Sequence, residues 1–168
     1  MSHRLAPLSA DHGLDSFSSG QPAHDDWLLT HARNATGQGT RTYVLLDEAT
    51  DEVAGYFAIA PHLLERQAAP RRIGRSAPAR IPAVLLAKLA LDRRLHGQGP
   101  GAELLVHALT TIVDAARAAG GRIVVVDAID DSAAAFYAAH DFVATPNDPH
   151  RLVMKLSTAS KALGLDWP

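Results

Sequence analysis

The chain has 168 residues, 47% of them hydrophobic, a length and composition that suit one compact domain with a substantial core. It contains no cysteine, which excludes a disulfide framework and thiolate-ligated zinc, and its formal net charge of -2 argues against a generally basic nucleic-acid binder. No apolar run is long enough to span a bilayer and no secretory signal pattern is visible, so a cytoplasmic protein is expected.

The first part of the chain is predicted to hold an irregular segment, one helix and one hairpin. Residues 1–24 are rich in Ser, Gly, His and Asp and predict an irregular N-terminal segment. A helix is predicted over 25–34, because acidic residues favour the first helical turn. Strands over 42–46 and 53–60 flank a polar turn and predict an antiparallel hairpin whose second strand ends at Pro61.

An arginine-rich segment follows the hairpin. Residues 63–81 contain prolines and most of a cluster of arginines, and they are predicted to be mostly irregular, with one helical turn at 62–67. Between Pro61 and Leu95, eight basic residues stand against two acidic ones, a local excess of six positive charges. Such a run is usually a solvated surface, and an RNA-binding face is the functional alternative.

The second part of the chain predicts alternating strands and helices. In chain order these are an apolar strand at 83–91, a helix at 102–119, a buried strand at 122–128, a helix from the Asp130-Asp131-Ser132 cap to 139, a strand entered through 140–144, and a strand at 151–156. The order indicates an α/β (α+β) single-domain fold with a mixed central sheet flanked by helices.

A glycine-rich stretch, His96-Gly97-Gln98-Gly99-Pro100-Gly101, separates the strand at 83–91 from the helix at 102–119. Glycines let the backbone approach a ligand closely, and a helix N-terminus adds unpaired N–H donors and partial positive charge. The layout is typical of a diphosphate cradle, and it also occurs in tight connections that bind nothing. Pro100 removes one N–H but suits the first helical position, so its effect depends on where that N–H would point.

Two motifs, in order along the chain, resemble one family. Leu89-Ala90-Leu91-Asp92, the glycine-rich stretch and an Ala- and Leu-rich helix are similar to the acetyl-CoA motif of the GNAT N-acetyltransferases. The second motif of that family, a helix ending in Phe-Tyr before a Gly-Phe step, is matched by Asp130, Ala133, Phe136, Tyr137 and Phe142. The pattern covers roughly Tyr43 to Leu156, with the acetyl-CoA-binding core at 83–142 of a single N-acetyltransferase domain, 1–168.

A subgroup of the family is a closer match: the toxins of type II toxin–antitoxin pairs that acetylate aminoacyl-tRNA. The matching features are Phe17-Ser18-Ser19-Gly20, Asp26-Trp27-Leu28, Gly55-Tyr56-Phe57, the basic loop, Leu86 to Asp92, and Val126-Asp127-Ala128. The chain departs from the family pattern where Asp130 replaces a common asparagine and where Asp141 replaces the glycine of the Gly-Phe step. The second position is compatible with a residue that tolerates left-handed backbone.

The chemistry of acetyl transfer assigns roles to these residues. It requires a bound donor, an uncharged amine, an oxyanion donor and an acid for the leaving thiolate. The predicted cofactor-binding residues are Leu89, Ala90, Leu91, Arg94, His96, Gly97, Gln98, Gly99, Gly101, Ala102, Asp130 and Phe136. The resemblance to the toxin subgroup implies that tRNA is bound by Arg71, Arg72, Arg75, Lys88 and Arg93. Tyr137 is the predicted catalytic acid, since a phenol with a pKa of ~10 stays protonated at neutral pH; a packed aromatic without a catalytic role is the alternative.

The sequence therefore predicts an acetyl-CoA-dependent transferase that modifies the α-amine of aminoacyl-tRNA and blocks translation. A GNAT enzyme for a small amine or a protein N-terminus is the first alternative, and a non-catalytic CoA-binding module is the second. The resemblance implies an antitoxin partner of the ribbon-helix-helix class and a homodimer. No metal is expected, because His96, His107 and His140 lack metal-ligand spacing with acidic partners.

Overall fold

A computed structural model describes residues 2–168, and within that range it contains seven strands and six α-helices. In chain order the elements are β1 His3–Pro7, α1 Pro22–Thr30, α2 Ala32–Thr36, β2 Arg41–Asp47, β3 Val53–Glu65, α3 Arg71–Gly74, β4 Arg80–Leu91, α4 Pro100–Ala119, β5 Ile123–Asp127, α5 Asp131–Ala139, β6 Val143–Thr145, β7 Asp148–Lys155 and α6 Leu156–Leu163, with 3-10 turns at Arg66–Ala68 and Arg93–Leu95.

The strands form one sheet in the order β1-β2-β3-β4-β5-β7-β6. β4 and β5 pair in parallel, whereas β1 with β2, β2 with β3, β5 with β7 and β6 with β7 pair antiparallel. The predicted mixed α/β fold with a central sheet and flanking helices is therefore confirmed. Within residues 2–168, none of the helices combines the length and apolar character that crossing a bilayer requires.

The chain folds into two compact units, and the first comprises residues 2–60 and 87–108. One cluster of its buried apolar side chains consists of Leu14, Phe17, Leu28, Ala32, Val44, Leu46, Val53, Tyr56 and Ala90. Tyr56 is fully buried, stacks on Trp27, and donates a hydrogen bond of 2.7 Å from its hydroxyl to the His24 carbonyl. Leu14 and Phe17 of the N-terminal segment thus belong to a core.

The second unit comprises residues 61–86 and 109–168. One cluster of its buried apolar side chains consists of Leu64, Ala69, Ile73, Ala77, Ile81, Ala83, Ile123, Val125 and Val153. β5 is hydrogen-bonded on both edges, to β4 and to β7, and its residues from Ile123 to Val126 are all buried, so both faces of the strand are covered and a continuous run of apolar residues suits it. The assignment of the whole chain to one N-acetyltransferase domain stays a prediction.

The irregular assignment of residues 1–24 was wrong at both ends. His3–Pro7 forms β1, which pairs with β2 from His3↔Asp47 to Pro7↔Tyr43. The local sequence shows little alternation of apolar and polar residues, so the strand was not recognisable from it. The strand is stabilised by pairing with residues about forty positions away. The predicted helix at 25–34 is two helices, α1 and α2, separated by His31, which has φ -120° and ψ -28°.

The segment 63–81 is more regular than predicted. β3 continues through Pro61 to Glu65, because a proline lacks an N–H but its fixed φ is compatible with extended backbone. Glu65 is followed by the 3-10 turn Arg66–Ala68 and by α3, and β4 already begins at Arg80. The predicted turn at 62–67 therefore lies mostly within a strand.

The later elements agree better with the sequence. The predicted helices at 102–119 and 130–139 are confirmed as α4 and α5, and the strand at 122–128 as β5. The strand predicted to start within 140–144 is short and begins at Val143, and α6 was not predicted. Asp130 is the N-cap of α5, since its carboxylate accepts a 2.8 Å hydrogen bond from the Ala133 amide.

Candidate active site

The carboxyl end of β4 extends past its ladder with β5. The ladder runs from Ala83↔Ile123 to Leu86↔Val126, and β4 continues as a strand to Leu91. Ala90 is buried, and Leu89 and Leu91 are half-buried. Because this strand segment lies beyond the ladder, its main-chain groups on that edge are suited to an extended, amide-containing ligand.

A tight turn follows β4 and depends on the buried side chain of Asp92. Asp92 is 1% exposed and is the N-cap of the 3-10 turn Arg93–Leu95. Its carboxylate accepts hydrogen bonds from the Arg94 amide at 3.0 Å, from Arg94 Nε at 2.9 Å, from Arg94 Nη2 at 3.3 Å and from the Ser18 amide at 3.2 Å. Burial alone would raise the pKa of Asp92, but the hydrogen bonds from Arg94 and Ser18 lower it overall.

The guanidinium of Arg94 is already paired within the protein. It contacts both carboxylate oxygens of Asp92, and its Nη1 lies 3.4 Å from Glu52 Oε2. Neither acidic partner was predicted. The exposed side chain of Arg93 makes no hydrogen bond or ion pair with residues 2–168, and its amide donates to the Ser18 carbonyl. The predicted cofactor role of Arg94 stays a prediction, with its cation held by two carboxylates.

The glycine-rich loop presents main-chain donors in alternation. Within the described residues, the amides of Gly97, Gly99 and Gly101 donate no hydrogen bond, whereas those of His96, Gln98 and Ala102 donate to Arg93, Leu95 and Gly99 carbonyls, respectively. Gly97 and Gly99 have φ of 77° and 99°, a region that favours glycine, and a Cβ at either position would meet no atom within 4 Å. The loop is therefore open beside Gly97 and Gly99.

Pro100 is the first residue of α4. Its ring thus occupies the helical position where a missing N–H costs least and where the fixed φ favours the helix. The neighbouring unpaired amides of Gly99 and Gly101 are retained on either side of it. The ring of His96 folds back so that Nε2 lies 2.9 Å from the Leu91 carbonyl, which can accept its proton and tie the loop to the end of β4.

In the second unit, α5 carries the predicted acid. Tyr137 is 5% exposed and makes edge-to-face contacts with Phe136 and Phe142, with ring centroids 5.3 Å and 5.5 Å away. Burial raises the pKa of the Tyr137 phenol, so the hydroxyl is protonated throughout the neutral range. Asp141, which replaces the family's glycine, has φ of 72°, so this position does adopt left-handed backbone.

The basic residues fall into separate groups. Arg71, Arg72 and Arg75 are exposed on and next to α3, whose Ile73 is anchored in the core of the second unit. Arg71 and Arg75 line a surface cavity of about 500 Å³ together with Arg66, which donates a 3.0 Å hydrogen bond to the Ala77 carbonyl. Lys88 and Arg93 belong to the first unit.

Lys88 has an aromatic neighbour that was not predicted. Its Nζ lies 5.8 Å from the centroid of the Trp27 ring.

No group of three His, Cys, Asp or Glu side chains suited to a metal occurs in the described part of the chain.

Sequence reasoning missed two polar groups. The first is the Asp92–Arg94–Ser18 network, for which the only local signal is an aspartate preceding a turn. The second lies in the second unit, where Arg151 forms a two-pronged ion pair with Asp127 at 2.7 and 2.8 Å and its Nη1 lies 3.5 Å from His62 Nε2. Burial and Arg151 lower the pKa of His62.

No protein-family model matches the chain. It is 36% identical over 167 residues to the tRNA-acetylating toxin of Mycobacterium tuberculosis, an alignment that covers 98% of this chain and 99% of that protein. Among solved structures, AtaT complexed with acetyl-methionyl-tRNAfMet matches with a TM-score of 0.86 and 28% identity, covering 96% and 99% of the two chains. A tyrosine-to-phenylalanine mutant of AtaT, bound to the C-terminus of the antitoxin AtaR and acetyl-CoA, matches with a TM-score of 0.81 and 28% identity over 95% and 97%.

Proposed function

We propose, since this chain belongs to the tRNA-acetylating toxins of the GNAT N-acetyltransferase family, that it transfers an acetyl group from acetyl-CoA to the α-amine of an aminoacyl-tRNA and thereby blocks translation. The observation that carries the proposal is the loop of alternating unpaired amides at the start of α4. The 36% identity to a tRNA-acetylating toxin over nearly the full length supports the acceptor.

The residues of the loop fit the diphosphate of acetyl-CoA. Three unpaired glycine amides, open space beside two of them, and the N-terminus of a 20-residue helix together make an anion site of main-chain donors. The main chain of Leu89–Leu91 would hold the amide-rich pantetheine arm, and the Leu91 amide is the proposed oxyanion donor. When bound, acetyl-CoA would supply the acetyl group as an activated thioester.

Tyr137 is the proposed general acid. Its buried hydroxyl holds a proton at neutral pH and would deliver it from Oη to the departing thiolate, whose conjugate thiol has a pKa of about 8.5. The raised pKa keeps the phenol fully protonated, although it also makes the proton harder to donate. The burial of the ring against Phe136 and Phe142 fixes the direction of the hydroxyl.

The amine requires little activation by the protein. An α-amine titrates at about 7.7–8.0, so a useful fraction is neutral near pH 7 without a dedicated base. The chain's part in this step is therefore to orient the acceptor. As contacts to tRNA phosphates we propose Lys88 and Arg93 together with the exposed arginines on and next to α3: Arg71, Arg72 and Arg75.

The partners proposed for the chain follow from the same family. AtaT is described bound to the C-terminus of the antitoxin AtaR, and we propose an antitoxin partner of the ribbon-helix-helix class and a homodimer for this chain. A cytoplasmic location is proposed because aminoacyl-tRNA is found there.

The test is to incubate the purified protein with bulk aminoacyl-tRNA and acetyl-CoA and to identify N-acetylated aminoacyl products by mass spectrometry. We expect acetylation of at least one aminoacyl-tRNA, and growth arrest when the protein is expressed alone. Acetylation of free amino acids or peptide N-termini with no tRNA product would contradict the proposed acceptor. Loss of all acetyl transfer would contradict the enzymatic assignment.

A further inference from the structure

The side chain of Asp92 joins three parts of the first unit that are distant in sequence. It accepts a hydrogen bond from the amide of Ser18, which is 74 residues away, and further hydrogen bonds from the amide and guanidinium of Arg94. The same guanidinium also donates a hydrogen bond to Glu52, which precedes β3. One buried carboxylate thus links the N-terminal segment and the β2–β3 hairpin to the turn that enters the glycine-rich loop.

A buried carboxylate needs such a set of donors. Removing a carboxylate from water is costly unless it is hydrogen-bonded and paired, and Asp92 has four donors at 2.9 to 3.3 Å. Two main-chain hydrogen bonds also hold the start of the turn: the Asp92 amide donates to the Ala54 carbonyl, and the Arg93 amide donates to the Ser18 carbonyl. The start of the turn is therefore fixed from several directions.

The loop depends on this turn. The His96 amide donates to the Arg93 carbonyl, and the Gln98 side chain donates to the Arg94 carbonyl at 3.1 Å. These are the carbonyls of the first two residues of the 3-10 turn, whose N-cap is Asp92. A change in the orientation of the capped turn would therefore redirect the unpaired amides of Gly97 and Gly99.

We propose that Asp92 is a positioning residue of the diphosphate cradle: its carboxylate orients the capped turn and, through it, the glycine amides that receive the diphosphate. Arg94 is then the internal counter-ion of Asp92 and holds the turn rather than the ligand. This inference rests on the proposed function, because it takes acetyl-CoA as the ligand of the loop.

The test compares binding of the whole cofactor with binding of its nucleotide half. Asp92→Asn places an amide NH₂ where four donors converge, and Arg94→Gln removes three guanidinium contacts while leaving the carboxylate and its two main-chain donors. Calorimetry with acetyl-CoA and with 3′-phospho-ADP, which carries the diphosphate but no pantetheine, should show both dissociation constants rising about tenfold for Asp92→Asn, and less for Arg94→Gln. The KM for aminoacyl-tRNA should stay unchanged.

Asp114→Asn is the matched control, because Asp114 also pairs with an arginine, Arg117, at 2.9 Å on an exposed face of α4. It should leave both dissociation constants unchanged. Unchanged 3′-phospho-ADP binding in both folded variants, or a raised KM for tRNA in place of weaker nucleotide binding, would overturn the inference. If Asp92→Asn does not fold, the result for Arg94→Gln decides.

The outcomes separate the inference from the function on which it rests. Wild-type protein that binds acetyl-CoA but acetylates no tRNA would contradict the proposed function and leave the positioning role intact. Wild-type protein that binds neither acetyl-CoA nor 3′-phospho-ADP would overturn both.

Discussion

The glycine-rich loop and the helix α5 contribute to the proposed reaction by different physical means. The loop offers main-chain amides whose directions are set by the backbone, including the positive φ of Gly97 and Gly99. α5 offers one hydroxyl, on Tyr137, whose protonation is set by burial. The loop should therefore be sensitive to backbone strain and tolerant of side-chain chemistry, whereas α5 should depend on a single oxygen atom.

The largest expected effect is that of Tyr137→Phe, which removes this oxygen and keeps the ring that packs on Phe136 and Phe142. We expect the rate of tRNA acetylation to fall about 10²- to 10⁴-fold, the usual contribution of a general acid, with little change in acetyl-CoA affinity. Rapid-quench measurement of acetyl transfer with calorimetry checks both quantities. Tyr43→Phe is the control, since Tyr43 of β2 stacks on Phe57 of β3, and this variant should transfer acetyl at the wild-type rate. A fully active Tyr137→Phe protein would exclude the proposed acid.

The exposed arginines on and next to α3 represent a third kind of contribution, because they would bind tRNA through their charge. Replacing Arg71, Arg72 and Arg75 together by Gln should weaken tRNA binding about 10- to 100-fold and reduce the dependence of binding on salt by roughly one unit of slope per lost phosphate contact. Acetyl-CoA affinity should not change. Filter binding across a salt series measures the effect.

The control for this triple variant has the same net charge. It replaces Arg4, Arg41 and Arg117, which lie outside α3, by Gln. Equal loss of tRNA binding in the two triple variants would show that only overall charge matters and would remove the specific role of α3.

Gly99→Ala tests the backbone side of the comparison and should have a smaller effect. The φ of 99° strains any residue with a Cβ by about 1–2 kcal/mol, although the Cβ itself would meet no atom within 4 Å. Relief of that strain would redirect the Gly99 amide, so acetyl-CoA should bind about 5- to 30-fold more weakly, with the acetyl-transfer rate at saturation nearly unchanged.

Gly39→Ala is the matched control, because Gly39 has a φ of 97° and equally open surroundings but lies before β2. Both variants should lose similar thermal stability, and only Gly99→Ala should lose acetyl-CoA affinity. Equal affinities in the two variants would indicate that the loop is only a tight connection.

The parts of this site that the sequence predicted are those coded locally. Glycines before a helix, Pro100 at its first position and Asp130 at an N-cap each act within a few residues, and each lies where the pattern predicted it. The left-handed backbone at Asp141 belongs with them. The roles of the predicted site residues in binding and catalysis stay predictions.

The parts that could not be predicted depend on distant pairing. Asp92 and Ser18 are 74 residues apart, and β1 exists because it pairs with β2 across the first helices. In the same way, Glu52, which is 42 residues from Arg94, left no trace in the local sequence of that arginine, and the neighbouring Asp92 signalled only a turn. Buried polar networks are set by which segments the fold brings together, and a single sequence does not contain that information directly.

The smallest expected effect concerns the start of α5, where His150 Nε2 lies 2.6 Å from Asp131 Oδ1. The hydrogen bond with Asp131 raises the pKa of His150 above its usual value of about 6.5, so the pair stabilises the fold fully below that value and loses this stabilisation as the pH rises through the raised pKa. His150→Gln should therefore lower the melting temperature slightly at pH 5.5 and leave it unchanged at pH 9. Asp131→Asn should show the same trend, and the double variant should add nothing further. Because this pair is exposed and Tyr137 is held by aromatic packing instead, acetyl transfer should change by less than about twofold in each variant. A large loss of activity would mean that the hydroxyl of α5 is positioned by charge at the helix start as well as by burial.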